Sequence, residues 1–223
     1  MTATERLSTP SGTAVSLRAR RTSGTLAHLA RLYLISRRVP ATLGLLAGLA
    51  ALLSAALYWH WTIAGGAAAQ EFFSLTIESG AAAVIAVTTA GPFGEPERAA
   101  GRWLPWLRLG AAVSLTAVAF GALAAAATAG AMPGGTLALL RNLGGVTGIG
   151  LLSASVLGGS FGWTGPMTYL VITEGALAHR LTTPWIWAAY PPHDIGAALC
   201  AALTFAAGLA LVTIRGDRDR AAR

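Results

Sequence analysis

Six apolar stretches, each close to the roughly 20 residues that a helix needs to cross a bilayer, constrain the fold of this chain most strongly. They cover about residues 40–59, 72–90, 109–130, 138–158, 161–178 and 195–214. Because 54% of the 223 residues are hydrophobic and only 11% are charged, the chain has too few polar residues to cover a water-soluble globule. The sequence therefore predicts an all-α, polytopic membrane protein with six transmembrane helices.

The basic residues give this arrangement an orientation. All sixteen are arginine, and fourteen of them lie before the first apolar stretch, between the second and third, or after the sixth. Since positive charge is retained in the cytoplasm during insertion, we expect both termini to be cytoplasmic in the plasma membrane. The arginines flank apolar stretches and are not interleaved with exposed aromatic residues, so topology and anionic lipid explain the net charge of +7 better than nucleic acid does.

Three segments follow from these patterns: a disordered basic tail over residues 1–24, a transmembrane domain over 25–214 and a cytoplasmic tail over 215–223. Apolar residues at helical spacing, with basic residues beside them, predict that 25–38 form a helix lying in the membrane interface. The residues assigned to this interfacial helix are Leu29, Arg31, Tyr33, Arg37 and Arg38. A simple extension of the first span is the alternative.

The loop at 91–108 is predicted to be cytoplasmic and to contain a short helix over about 96–104. Pro96 suits the first turn of that helix, two glutamates suit its N-terminal dipole, and two arginines spaced four apart share one face. The charged residues of this loop are Glu95, Glu97, Arg98 and Arg102. The loop is either an ordinary amphipathic connector or a docking element that receives force from a soluble partner.

Three charged residues fall inside the predicted spans: Glu78, Arg141 and Glu174. Because an ionised group in hydrocarbon is unfavourable, each should face the bundle interior or a wet cavity. Arg141 could pair with either glutamate, and the sequence does not choose between them. Each of the three has either a structural role or a place on a transport path.

The segment 182–194 is rich in aromatic residues and is predicted to lie at the extracellular interface, dipping into the bilayer as a re-entrant or short helix. Trp185, Trp187 and Tyr190 are arranged like an outer aromatic belt. Histidines and acidic residues near that face match no standard metal-ligand spacing, so no metal site is predicted. No catalytic motif is recognisable either, and we expect a non-enzymatic chain.

The interfacial helix, the six spans and the helix-bearing loop together resemble the transmembrane subunit, or permease, of an ABC transporter of the ABC-two-type export class. The likeness is to permeases encoded beside an ATPase in high-GC Gram-positive bacteria. Its most specific parts are GEPERAAGRWLPWLR at 94–108, RNLGGVTGIGLLSASVLGGSFGWTGPMTYL at 141–170 and TPWIWAAYPP at 183–192.

The resemblance implies that this chain forms half of a substrate pathway, beside a second permease copy or a paralogue in membrane lipid. It also implies that the interfacial helix and the residues Glu95, Glu97, Arg98 and Arg102 contact an ABC ATPase subunit. A nucleotide-binding P-loop needs a lysine, and this chain contains none. ATP and Mg are therefore expected on the partner ATPase, with no cofactor bound by this chain.

Two other classes remain open from the sequence. A proton-coupled carrier or channel would use Glu78 as a titrating group within its pathway. A membrane scaffold without a transported substrate would need only the Gly- and Ala-rich spans.

Overall fold

The structure is a computed structural model of the chain and describes residues 39–63, 67–89, 104–128, 130, 132, 134–179, 183 and 185–215. Within these ranges the secondary structure is helical, without strands. The helices are α1 (Val39–Ile63), α2 (Ala67–Thr89), α3 (Leu104–Ala127), α4 (Gly135–Leu157), α5 (Thr164–Ala178) and α6 (Ile195–Arg215). Short 3-10 turns at Gly159–Phe161 and Trp187–Ala189 precede α5 and α6.

Five of these helices are long and apolar enough to cross a membrane. Their candidate spans are Val39–Trp59, Glu71–Thr89, Arg108–Ala127, Gly135–Leu157 and Ile195–Ile214. They coincide closely with five of the six predicted stretches, so the helical fold class and these five candidate spans are confirmed. The stretch predicted at 161–178 corresponds to α5, whose 15 residues extend about 22 Å, less than the hydrocarbon thickness of about 30 Å.

Helix α4 is the centre of the bundle. It packs against α2, α3, α5 and α6, and it is the most buried of the five candidate spans. Four glycines between Gly144 and Gly150, together with Ser153 and Ser155, give it a narrow profile. A helix this slender allows its neighbours to approach from several sides at once.

The closest helix contact joins α4 to α6 through glycines. A Cβ atom added to Gly148 would lie 2.6 Å from backbone atoms of Phe205, and one added to Gly208 would lie 2.6 Å from the Gly148 carbonyl oxygen. Backbones in such contact leave no space for a methyl group. Gly144 and Gly148 are four residues apart on α4, a spacing that lets helix backbones approach closely. Gly148 meets a helix partner, whereas a Cβ at Gly144 would touch nothing within 4 Å.

A tight, glycine-rich turn connects α4 to α5. Gly158 ends α4 with a φ of 102°, a left-handed conformation that favours glycine. Its carbonyl oxygen then accepts a 2.9 Å hydrogen bond from the Phe161 amide. The chain thus reverses within a few residues, and α5 packs back against α4 and α2.

Helix α1 lies at the edge of the bundle. Its Thr42 hydroxyl is 2.8 Å from the hydroxyl of Thr88 on α2, and its Ser54 hydroxyl donates to the Ala126 carbonyl at the end of α3. Large apolar side chains cover much of its remaining surface and that of α6. The exposed ones are Leu43, Leu45, Leu52, Tyr58, Trp59, Ile195, Leu199, Leu203 and Ile214. An apolar surface of this extent is typical of helices that face lipid.

Candidate functional site

A polar cavity of about 270 Å³ opens at one end of the bundle, between α2, α4 and the segment that precedes α6. Its polar lining comes from two helices. The residues are Glu71, Ser74 and Glu78 of α2, and Arg141 and Asn142 of α4. Backbone and side-chain atoms of residues 188–192, here called the covering segment, close it from one side. Two of the three predicted intramembrane charges therefore share one cavity.

Arg141 holds the covering segment in place. Its guanidinium donates from Nη1 to the Pro191 carbonyl at 2.8 Å and from Nη2 to the Tyr190 carbonyl at 3.0 Å. A third bond runs from Nε to Oδ1 of Asn142 at 3.3 Å. These backbone carbonyls belong to a non-helical stretch and have no ladder partners, so the arginine satisfies groups that burial would otherwise leave unpaired.

Glu78 is the most enclosed charged residue of the described chain, with only 2% of its surface exposed. The Ser74 hydroxyl, one helical turn earlier, donates to its Oε1 at 3.2 Å. Its Oε2 is buried and makes no hydrogen bond within the described residues. A buried acceptor without a partner is unfavourable, so this oxygen is suited to accepting a hydrogen bond from a further group.

The structure brings Arg141 and Glu78 together without a direct ion pair among the described residues. The guanidinium interacts electrostatically with the Glu78 carboxyl group, but its hydrogen bonds go to carbonyl and amide oxygens. Glu174 lies apart from the cavity lining and interacts electrostatically with Glu71. Between the two pairings that the sequence left open, the geometry favours proximity of Arg141 to Glu78.

Trp187 is buried inside the bundle. Its ring is 3% exposed and stacks on Tyr169 of α5, with centroids 4.6 Å apart and an angle of 21° between the planes. A Cβ atom at Gly145 would lie 2.6 Å from the indole. The side chain therefore points into the bundle, because the glycine on α4 leaves room for it there. Trp185, in contrast, is 51% exposed. The outer aromatic belt of Trp185, Trp187 and Tyr190 stays a prediction.

A second cavity, of about 340 Å³, lies between α3, α4 and α6. Its walls are almost entirely apolar, with Phe120, Leu140 and Phe205 contributing the largest side chains. Arg141 lines both this apolar cavity and the polar cavity described above. A lipid-facing bundle accommodates such apolar clefts readily.

Comparisons with protein-family models, curated proteins and solved structures found no significant match. The geometry of the cavity and the sequence patterns therefore carry the functional argument.

The residues predicted to contact an ATPase lie outside the described part of the chain. They are Glu95, Glu97, Arg98 and Arg102 of the loop, and Leu29, Arg31, Tyr33, Arg37 and Arg38 of the interfacial helix. Both assignments stay predictions.

Sequence reasoning missed three residues that the structure adds to the site: Ser74, Asn142 and Tyr169. Ser74 precedes Glu78 by one helical turn, and Asn142 follows Arg141 directly in an otherwise apolar helix. Polar residues at those spacings are a usable signal, because a buried charge needs nearby hydrogen-bond partners. No comparable signal distinguishes Tyr169 from an interfacial tyrosine.

Proposed function

We propose that this chain is the transmembrane subunit of an ATP-driven exporter of the ABC-two-type class. The observation that carries the proposal is a polar cavity with a buried glutamate and arginine inside a bundle whose exterior is apolar. Buried ionisable residues in membrane helices are characteristic of substrate and ion pathways. The bundle forms half of such a pathway, and a second copy or a paralogue supplies the other half.

The proposed topology has six crossings with both termini in the cytoplasm. Five crossings are the long apolar helices, and α5 with its preceding turn is the sixth. The arginine-rich segments then share the cytoplasmic side, as the retention of positive charge requires. In this orientation the polar cavity and the covering segment face the outer leaflet.

Energy comes from a separate ATPase in this proposal. Without a lysine, the chain cannot form a P-loop, so ATP and Mg bind to the partner. Nucleotide binding closes the ATPase pair, and the loop carrying Glu95, Glu97, Arg98 and Arg102 transmits that motion to the bundle. The interfacial helix gives a second point of contact.

Charge reversal in the loop tests the coupling. We expect Glu97→Arg with Arg98→Glu to leave membrane insertion intact and to abolish stimulation of the copurified ATPase by transport substrate. The neighbouring genes should first be searched for the ATPase, whose P-loop pattern is GxxxxGK[ST]. ATP hydrolysis by the complex in proteoliposomes is the measurement.

A matched control exists at the C-terminus, where Asp219 and Arg220 form another acidic-basic pair in a predicted cytoplasmic segment. Asp219→Arg with Arg220→Asp makes the same change of charge outside the predicted docking loop. Normal coupling in the loop variant, or equal loss in both variants, would argue against the assigned role of this loop.

One observation favours a second function, a proton-coupled carrier. The Oε2 atom of Glu78 has no hydrogen-bond partner within the described residues, and a carboxyl group in that setting is suited to exchanging a proton. In proteoliposomes without any ATPase, such a carrier would move substrate under an imposed pH gradient. Glu78→Gln should stop that movement, and an absence of gradient-driven transport in the wild type would dismiss this function.

A further inference from the structure

Carboxyl groups outnumber basic groups in the lining of the polar cavity. Glu71 and Glu78 line it against the single guanidinium of Arg141, and Glu174 interacts with Glu71 from outside the lining. Arg141 already donates to three oxygen acceptors, which are Oδ1 of Asn142 and two backbone carbonyls. Its hydrogen bonds are thus directed away from the two carboxyl groups, and the cavity offers acceptors to a guest that carries N–H donors rather than donors to an anion.

The Glu78 carboxylate also has a specific place for a donor. Oε1 accepts a hydrogen bond from Ser74, whereas Oε2 is buried, lacks a partner among the described residues and belongs to a residue that lines the cavity. Since Glu78 lines the cavity, a turn of its carboxyl group would present this oxygen to an N–H donor there, which would satisfy it. A charged donor would do so most strongly, since bonds between ionised groups are stronger than neutral ones.

The size and walls of the cavity restrict what fits. Its volume of about 270 Å³ lies near the lower end of small-molecule sites, which span roughly 300–1,000 Å³. Leu75, Ala138 and Leu177 add apolar wall beside the carboxylates, so a short hydrocarbon body is accommodated. Among the described residues no group of three His, Cys, Asp or Glu side chains could hold a metal ion.

We propose that this cavity binds a small organic monocation with a primary or secondary ammonium group. The ammonium donates to Oε2 of Glu78, Glu71 attracts it at the more exposed edge of the cavity, and its alkyl part lies against the apolar wall. This inference rests on the proposed function in one respect: if the chain is an exporter, the ammonium cation is its class of substrate. Binding itself is a property of the isolated chain.

The test uses the purified full chain in detergent and propylammonium chloride as the probe. We expect saturable stabilisation against thermal unfolding, because a ligand that binds only the folded state raises the midpoint. Neutral propan-1-ol and equimolar sodium chloride serve as controls for shape and ionic strength. Neither should stabilise the chain to the same extent.

Three variants locate the site. Glu78→Gln keeps the shape of the side chain, removes its charge and should weaken propylammonium binding at least tenfold. Glu71→Gln changes an exposed residue, is expected to fold, and should weaken binding about threefold. Glu174→Gln makes the same chemical change outside the cavity lining and should stay within twofold of the wild type.

Absence of saturable stabilisation by propylammonium in the wild type would overturn the inference, as would unchanged affinity in Glu78→Gln. If Glu78→Gln fails to fold, an affinity of Glu71→Gln for propylammonium equal to that of the wild type would overturn the inference instead. The two proposals can be refuted separately. If the chain does not bind the cation but couples normally to an ATPase, only the cation proposal is refuted. If the chain binds the cation but has no ATPase partner, only the exporter proposal is refuted.

Discussion

At the scale of single residues, Arg141 shows how a charge is retained inside an apolar bundle. It is 7% exposed, and its partners are the Tyr190 and Pro191 carbonyls and the amide of Asn142. An arginine offers five donors in a planar fork, which suits two neighbouring carbonyls better than the compact ammonium of lysine. The residue therefore acts first as an anchor for the covering segment.

Replacement of Arg141 tests this anchoring. Arg141→Lys keeps the charge but cannot bridge both carbonyls, and we expect it to lower the free energy of unfolding by about 1.5–3 kcal/mol. Denaturation of the purified chain, read by circular dichroism, measures the loss. A lysine variant as stable as the wild type would show that charge alone, rather than the bridging geometry, is required.

Trp187 provides a second test at this scale. Trp187→Ala should destabilise the chain by about 3–5 kcal/mol, because it leaves a void beside Gly145 and Tyr169. Trp187→Phe retains a ring and should be milder. Trp185→Ala is the matched control, since that tryptophan is half exposed. Equal losses at both positions would contradict the buried placement of Trp187.

The residues of the cavity were partly predictable. Glu78 and Arg141 stand out because charges are rare in apolar stretches and have to face an interior. The direction of Trp187 was not predictable, since an aromatic cluster near a helix end fits either an interface or a core. Only the absence of side-chain bulk at Gly145, on a distant helix, gives the indole a place inside.

At the scale of helices, α4 organises the bundle because its glycines let neighbours approach. In the sequence, Gly144 and Gly148 are four residues apart, as are Gly44 and Gly48, and such pairs in apolar helices let backbones approach closely. Only Gly148 meets a neighbouring helix, whereas a Cβ at any of the other three would touch nothing within 4 Å. The spacing in the sequence shows that two glycines lie on the same face of a helix. Which residues contact that face depends on where the other helices pack.

The contrast between Gly148 and Gly144 can be measured directly. Gly148→Ala inserts a methyl group against the Phe205 backbone, which cannot yield as a side chain would, and should destabilise the chain by about 1–3 kcal/mol. Gly144→Ala enters open space and should be neutral or stabilising by up to about 1 kcal/mol, because alanine favours helix. The same denaturation assay compares them, and the reverse order of stability would refute the backbone contact.

At the scale of the whole molecule, the number of crossings determines where the ends of the chain lie. Five of the six predicted spans could be located from hydropathy alone, with boundaries within a few residues of the helices. The sixth predicted span corresponds to α5, whose 15 residues are fewer than the roughly 20 that a crossing helix needs. Six crossings put the termini on one side of the membrane, whereas five would put them on opposite sides.

Cysteine labelling distinguishes the two topologies. In a Cys200→Ser background, which removes the single native thiol, we expect His193→Cys, at an exposed position before α6, to react with a membrane-impermeant maleimide in intact cells. Ala222→Cys should react only after permeabilisation, because the C-terminal tail is cytoplasmic in the six-span arrangement. Labelling of Ala222→Cys from outside would exclude that arrangement.

The stacked pair of Trp187 and Tyr169 also determines how often the segment before α6 can leave the bundle. Withdrawing the indole would forfeit packing worth about 3–5 kcal/mol, and each 1.4 kcal/mol changes a population about tenfold. Spontaneous withdrawal would thus reach on the order of one molecule in a thousand, so the wall that residues 188–192 give the polar cavity is present nearly all the time.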